Sequence, residues 1–176
     1  MRDIGGLITH NIELNSRTIY ISGEVNDEML ECVCNGLVGL GISKPILLVL
    51  NSGGGDLATA WSIYDLIYNY PCEVNIVVIG QCCSAATIIL QAGYRRFITP
   101  NSYLMIHSGH FEEQPKLPPE TRKNWRRLAK YHTDKMVEMY SNLMGITPYR
   151  VKNLIKHDQI YVGEEAVKMN FCDAVW

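Results

Sequence analysis

Long apolar runs are missing from this sequence. Its longest, such as Ile46–Leu50 and Ile76–Ile79, fall far below the roughly 18 residues that suggest a membrane span. An excess of positive charge is missing too. Sixteen Lys+Arg stand against 18 Asp+Glu, for a net charge of −2, so no global basic field exists to hold nucleic acid by bulk electrostatics. The opening Met1-Arg2-Asp3-Ile4-Gly5-Gly6 lacks the basic-then-apolar pattern of a signal peptide, which leads to the expectation of a cytoplasmic protein. Charged residues make up only 19% and apolar ones 47%, a balance that excludes a disordered or solvating chain. Six cysteines are present without a CxxC pair; Cys82 and Cys83 are adjacent, a poor fit to zinc. With no sign of secretion they read as buried reduced thiols. Internal repeats and low-complexity segments are likewise missing. At 176 residues the chain is long enough for one domain with a real core.

What is present alternates between strand and helix. Thr18–Ser22 reads as a strand, and Asn26 or Asp27 caps a helix to about Leu40 with Met29, Val33 and Leu37 at helical spacing. Ile46–Leu50 reads as a strand covered on both faces, followed by Asn51-Ser52-Gly53-Gly54-Gly55 and a helix capped by Asp56 that Pro71 stops. Val74–Ile79 is a second buried strand, and Ala85–Ala92 a short apolar helix. Phe97–Thr99 and Tyr103–His107 read as strands around a Pro100-Asn101 turn. Residues 109–119 form an exposed loop. A long helix from Glu120 to about Met144, a helix opened by Thr147-Pro148 and ending near His157, a strand at Ile160–Val162, a short helix from Glu164 and a last strand at Ala174–Trp176 complete the chain. The pattern is that of an α/β fold with a mainly parallel sheet.

Sites in such sheets gather at the carboxyl ends of strands, and three candidates fall there. Gly53-Gly54-Gly55 frees the backbone to present N–H groups to a ligand, or simply makes a tight strand–helix turn. Its spacing is not GxGxxG and the P-loop Lys is missing, so nucleotide binding is poorly supported. Ser84 stands at the head of an apolar helix; it suits a nucleophile, whose oxyanion needs fixed donors, and equally an ordinary helix cap. No GxSxG elbow surrounds it. His107 ends an apolar strand and matters only if it reaches a hydroxyl on one side and a carboxylate on the other. Spacing alone does not choose that carboxylate.

These same residues resemble a known family. Asn51-Ser52-Gly53-Gly54-Gly55, Ser62-Ile63-Tyr64-Asp65, Gly80-Gln81-Cys82-Cys83-Ser84-Ala85 and Pro100-Asn101-Ser102-Tyr103-Leu104-Met105-Ile106-His107 are similar, in order and spacing, to the NSPGG, SIYD, GQAASM and PNSRVMIH segments of the Clp protease proteolytic subunit. The likeness runs from about Arg17 to the C-terminus. It implies a serine peptidase with a crotonase-like ββα spiral: one peptidase domain over residues 1–176, with a protruding helical handle over about 109–146. It implies Ser84 as nucleophile and His107 as general base. Asp158, in the place of the family's RDRFLS aspartate, would orient His107. The backbone N–H groups of Gly55 and Ala85 would form the oxyanion hole, and Asp56, Leu57, Gly109 and His110 would meet substrate. It further implies unfolded polypeptide as substrate, a homo-oligomer of stacked, heptameric rings, and an ATP-driven AAA+ unfoldase as partner. No metal or cofactor is implied in this subunit.

The departures are specific. Gly53 replaces a proline, Asp56 an apolar residue, and Cys82-Cys83 two alanines. The segment after His107 holds three prolines where the family has a glycine-rich strand, which weakens the expectation of strand pairing there. These differences suit a divergent or phage-type member. Two other readings use the same residues: a non-catalytic ring subunit, and a crotonase-fold acyl-CoA enzyme that polarises a thioester with paired N–H groups.

Overall fold

The computed structural model of the chain describes residues 8, 9, 11–109 and 116–176. Nine strands and six helices are found among them. The strands are β1 (Ile8–Thr9), β2 (Ile12–Glu13), β3 (Thr18–Val25), β4 (Ile46–Gly55), β5 (Val74–Cys83), β6 (Arg96–Ile98), β7 (Tyr103–Ile106), β8 (Gln159–Val162) and β9 (Ala174–Val175). The helices are α1 (Asp27–Leu40), α2 (Leu57–Tyr68), α3 (Ala86–Leu90), α4 (Pro119–Met144), α5 (Pro148–Leu154) and α6 (Glu164–Lys168). The chain forms two compact units. One gathers the described residues up to Met105 with Ile160–Trp176, and the other is Ile106–Gln159.

The first unit is built on a sheet of order β1-β2-β3-β4-β5-β6-β9. From β3 to β9 neighbouring strands on this path are parallel, as the continuously apolar strands imply; β1 and β2 add an antiparallel margin that the sequence reading does not contain. β5 serves two neighbours in turn. Its first half pairs β6 at Ile76–Val78, and its second half pairs β7 at Gln81–Cys83. Ile19, Leu48, Leu50, Ile76, Val78, Ile88, Ile89 and Leu90 are fully buried in this unit.

The helix ends follow their local chemistry. Asn26 accepts the Met29 N–H at 3.0 Å, with Asp27 and Glu28 in the first turn, where the helix dipole favours negative charge. Thr147 caps α5 with Pro148 in its first turn, and Gly145 closes α4 in the left-handed conformation. α5 stops at Leu154, short of His157, and α2 at Tyr68.

Two strands run further than expected. β4 passes through the whole glycine run, because β3 also extends, to Val25, and supplies Glu24 opposite Gly54 and Val25 opposite Gly55. β5 extends to Cys83 because β7 pairs its far end. The glycines thus belong to a strand end and not to a free turn.

In the second unit α4 packs on α5. Met136, Val137 and Tyr140 in the later half of α4 are buried, as are Val151 and Ile155. The early half, with Arg122, Lys123, Arg126 and Arg127, leaves Trp125, Leu128 and Tyr131 exposed. The handle expected over about 109–146 would fall in this unit; its residues 110–115 lie outside the described residues. Among the described residues no helix is long and apolar enough to cross a membrane.

Candidate active site

The last residue of β5 is Cys83, and α3 begins at Ala86. Between them Ser84 takes a φ of 52°, in the left-handed region. A side chain is rarely held there, at a cost of about 1 kcal/mol or more. The surroundings fix it. The Ser84 N–H donates to the Met105 carbonyl of β7 at 2.7 Å. Its own carbonyl accepts from the Thr87 N–H at 3.0 Å and from the buried Thr87 hydroxyl at 2.6 Å. The chain therefore makes a sharp strand–helix elbow at Ser84 without the GxSxG sequence usually associated with one. Ala85, only 2% exposed, flanks α3 and has no side-chain cap to offer.

The end of β4 lies against this elbow. Gly54 has a φ of 100°, and a Cβ on it would sit 2.8 Å from the Ser84 Cβ, 2.8 Å from the Cys83 carbonyl and 3.3 Å from the Ala85 nitrogen. Only glycine permits that approach. Gly55 follows, where a Cβ would collide with the Val25 carbonyl oxygen of β3. Ser52, 1% exposed, holds the run from within: its hydroxyl donates to the Gly23 carbonyl at 2.6 Å and accepts the Gly54 N–H at 3.1 Å. Ser52 was not among the expected site residues; its only signal in the sequence is a serine directly before the glycines.

Asp56 caps α2. One carboxylate oxygen accepts from the Thr59 N–H at 2.7 Å and from the Thr59 hydroxyl at 2.8 Å. Leu57, the next residue, is half-buried. The neighbouring Cys82 thiol is fully buried; burial, then its neighbours Cys172 and Cys83, push its pKa well up, so it stays protonated and is no rival nucleophile. Cys172 is likewise pushed up, to about 12, by burial. None of the six cysteines is in a disulfide, but Cys32, Cys34 and Cys72 are only half-buried, so the expectation of buried thiols holds for Cys82, Cys83 and Cys172. Their positions explain the split, for these three lie on or beside the central strands and the others on helix faces and a loop.

The second unit carries the other two expected residues, and it brings them together. His107 follows β7, and Asp158 lies between α5 and β8. The His107 Nδ1 stands 3.5 Å from the Asp158 Oδ1, a little beyond the about 3.2 Å limit of a good N–H···O bond. The Ser108 N–H donates to the Ile155 carbonyl at 2.6 Å, so the segment after β7 is tied to the end of α5 and delivers His107 to Asp158. His107 is about a quarter exposed and Asp158 about two thirds. With Nδ1 turned to the carboxylate, Nε2 is the ring nitrogen that would serve a hydroxyl. Gly109 is exposed in this unit, and His110 lies outside the described residues. Among the described residues no cluster of His, Cys, Asp and Glu is arranged to hold a metal ion.

Comparison with known proteins shows the family and the fold. Over 98 residues the chain is 40% identical to the ATP-dependent Clp protease proteolytic subunit of Carsonella ruddii. That match takes in 53% of this chain and spans about half the length of the curated relative. A ClpP1 mutant from Listeria monocytogenes superposes with a TM-score of 0.79 at 23% identity, covering 93% of this chain and 92% of that one, which shows that the α/β fold is of the ClpP type. The sequence profile of the Clp protease family matches residues 8–176, and the chain therefore belongs to the Clp protease family.

Proposed function

We propose that this chain is a serine endopeptidase of the Clp type, hydrolysing peptide bonds of unfolded polypeptides inside an oligomeric chamber. The observation that carries the reading is the His107–Asp158 pair, met by Nδ1 at 3.5 Å, in a chain whose match to the family, residues 8–176, also spans Ser84. The strained backbone at Ser84 supports it, because such strain persists where the surrounding structure demands it and clusters at active sites.

The roles follow from the chemistry. Ser84 Oγ attacks the substrate carbonyl carbon, and its proton passes to Nε2 of His107. Asp158 accepts from Nδ1–H, keeps the ring in the tautomer that leaves Nε2 basic, and stabilises the imidazolium. The carbonyl oxygen, now an anion, is met by the N–H groups of Gly55 and Ala85; losing one such donor typically costs about 2.7–4 kcal/mol. His107 returns the proton to the leaving amine, and the C–N bond breaks. Water then attacks the acyl-enzyme: its proton goes to Nε2 and its oxygen to the acyl carbon, the C–Oγ ester bond breaks, and Ser84 Oγ takes the proton back from Nε2. The mechanism requires Nε2 to reach Ser84 Oγ in the working assembly. Asp56, Leu57, Gly109 and His110 would border the peptide. One Asp56 oxygen serves as a helix cap, which leaves the other to meet substrate.

Hydrolysis by this scheme calls on no metal or cofactor. Assembly into stacked rings, with seven subunits in each, and delivery of substrate by an ATP-driven AAA+ unfoldase complete the proposal, as does a cytoplasmic setting. The test is the assembled protein with a fluorogenic peptide. Hydrolysis that Ser84→Ala abolishes supports the reading. Saturable binding of coenzyme A with activity surviving Ser84→Ala would favour the acyl-CoA alternative, and normal assembly without any hydrolysis the non-catalytic one.

A further inference from the structure

We propose that Ser52 is a positioning residue for peptide hydrolysis: its buried hydroxyl sets the backbone at Gly54 and so aims the Gly55 N–H. This rests on the reading above, in which that N–H meets the oxyanion.

The ladders on either side of β4 are out of step with it. Toward β3 the partners run from Ser22 opposite Asn51 to Glu24 opposite Gly54, so β4 spends one more residue than its neighbour. Toward β5 they run from Leu50 opposite Val78 to Ser52 opposite Cys82, so there the neighbour spends two more. A central strand is thus irregular on both edges within residues 50–54. Backbone groups that lose ladder partners in a buried place need others.

Two side chains supply them. On the β5 side, Asn51 Oδ1 accepts the Gln81 N–H at 3.2 Å. On the β3 side, the Ser52 hydroxyl uses both its capacities, donating to the Gly23 carbonyl at the irregularity and accepting the Gly54 N–H. The Gly54 N–H is thereby committed inward. The next amide in the chain is that of Gly55, and its direction depends on how the Gly54 backbone is held.

Gly54 has no Cβ and would otherwise have wide conformational freedom. It also touches the Ser84 elbow more closely than any side chain would allow. A rotation at Gly54 therefore alters both the direction of the Gly55 amide and the distance between the two halves of the oxyanion site. Misplacement by about 1 Å is enough to cost roughly a hundredfold in rate. A hydroxyl that merely stabilised the sheet would have no such selective effect.

The test uses the assembled protein and two ligands of one peptide sequence. A peptide boronate forms a charged tetrahedral adduct on Ser84 and needs the oxyanion donors. The corresponding peptide acid binds without forming it. For Ser52→Ala the affinity for the boronate is expected to fall about tenfold or more, while that for the acid stays within about twofold. Ser52→Thr, which keeps the hydroxyl, restores the preference. Should Ser52→Ala fail to fold, Ser52→Cys, similar in shape with a much weaker donor, is judged by the same ratio. Equal loss of both ligands, or no change in the ratio, overturns the proposal for Ser52 while leaving the peptidase reading intact. Wild-type protein that forms no boronate adduct at Ser84 overturns the peptidase reading and this one with it.

Discussion

Ser84 is held in a left-handed backbone by a hydrogen bond to β7 and two from Thr87, and Gly54 reaches it because it has no side chain. Gly54→Ala follows as a severe substitution. Its methyl would lie 2.8 Å from both the Cys83 carbonyl and the Ser84 Cβ, at a φ of 100° that alanine avoids. Peptide hydrolysis is expected to fall at least a hundredfold, with a lower melting temperature, measured by a fluorogenic peptide and by thermal unfolding. Asp158→Asn is expected to act differently. It keeps the shape and removes the charge that, on the proposed mechanism, fixes the His107 tautomer, so kcat is expected to fall by about two to four orders of magnitude while the melting temperature hardly moves, because Asp158 is largely exposed. At this scale the sequence was informative about identity and poor about geometry. The resemblance placed Ser84, His107 and Asp158 in register, but spacing alone chose no carboxylate, since Asp158 lies 51 positions from His107 and only the fold joins them. The Ser84 elbow was illegible because its strain comes from a partner strand and not from flanking glycines.

Helix and strand boundaries were more legible, because they depend on near neighbours in the chain. The caps at Asn26, Asp56 and Thr147 fall where short polar side chains precede apolar periodicity. The extra length of β4 and β5 was not legible, for it is set by pairing with β3 and β7. Nor was the tie formed by Arg17, whose guanidinium donates to the carbonyls of Leu40, Gly41, Lys44 and Pro45. A single side chain there satisfies carbonyls at the C-terminal end of α1, favours its negative dipole end, and holds the loop before β4. Arg17→Lys cannot reproduce the planar fork of donors. Arg17→Ala is expected to lower unfolding free energy by about 2 kcal/mol, and Arg17→Lys to recover less than half, read from urea midpoints.

At the scale of the whole molecule, the two compact units divide the expected machinery: the Ser84 elbow and glycine strand in one, the His107–Asp158 pair in the other. The first unit closes through its C-terminal segment. Asp173 accepts from the Arg96 backbone N–H at 2.7 Å and pairs with its guanidinium, which also donates to Gln91 and to the Asn170 carbonyl. Burial alone would raise the Asp173 pKa, but the hydrogen bonds and charge of Arg96 outweigh it and hold the carboxyl below its ordinary value. The folded chain therefore keeps this group charged to lower pH than the unfolded chain does. Its contribution is complete above the ordinary carboxylate value of about 3.9 and is lost as pH falls through the lower folded value. Asp173→Asn is expected to lower stability at neutral pH and to flatten that acid limb, measured by denaturant unfolding across pH. The alternation of strands and helices made the α/β class legible from the start. The two-unit division was not, since it depends on the late return of the chain at Ile160.

The central claim is that Ser84 is a nucleophile activated by His107. Its most direct test is the reaction of the assembled protein with a fluorophosphonate, followed by intact-mass measurement and peptide mapping. One phosphonyl group per chain on Ser84, lost in His107→Ala at unchanged assembly, is the predicted result. No adduct, an adduct on another residue, or labelling of Ser84 that is indifferent to His107 would contradict it.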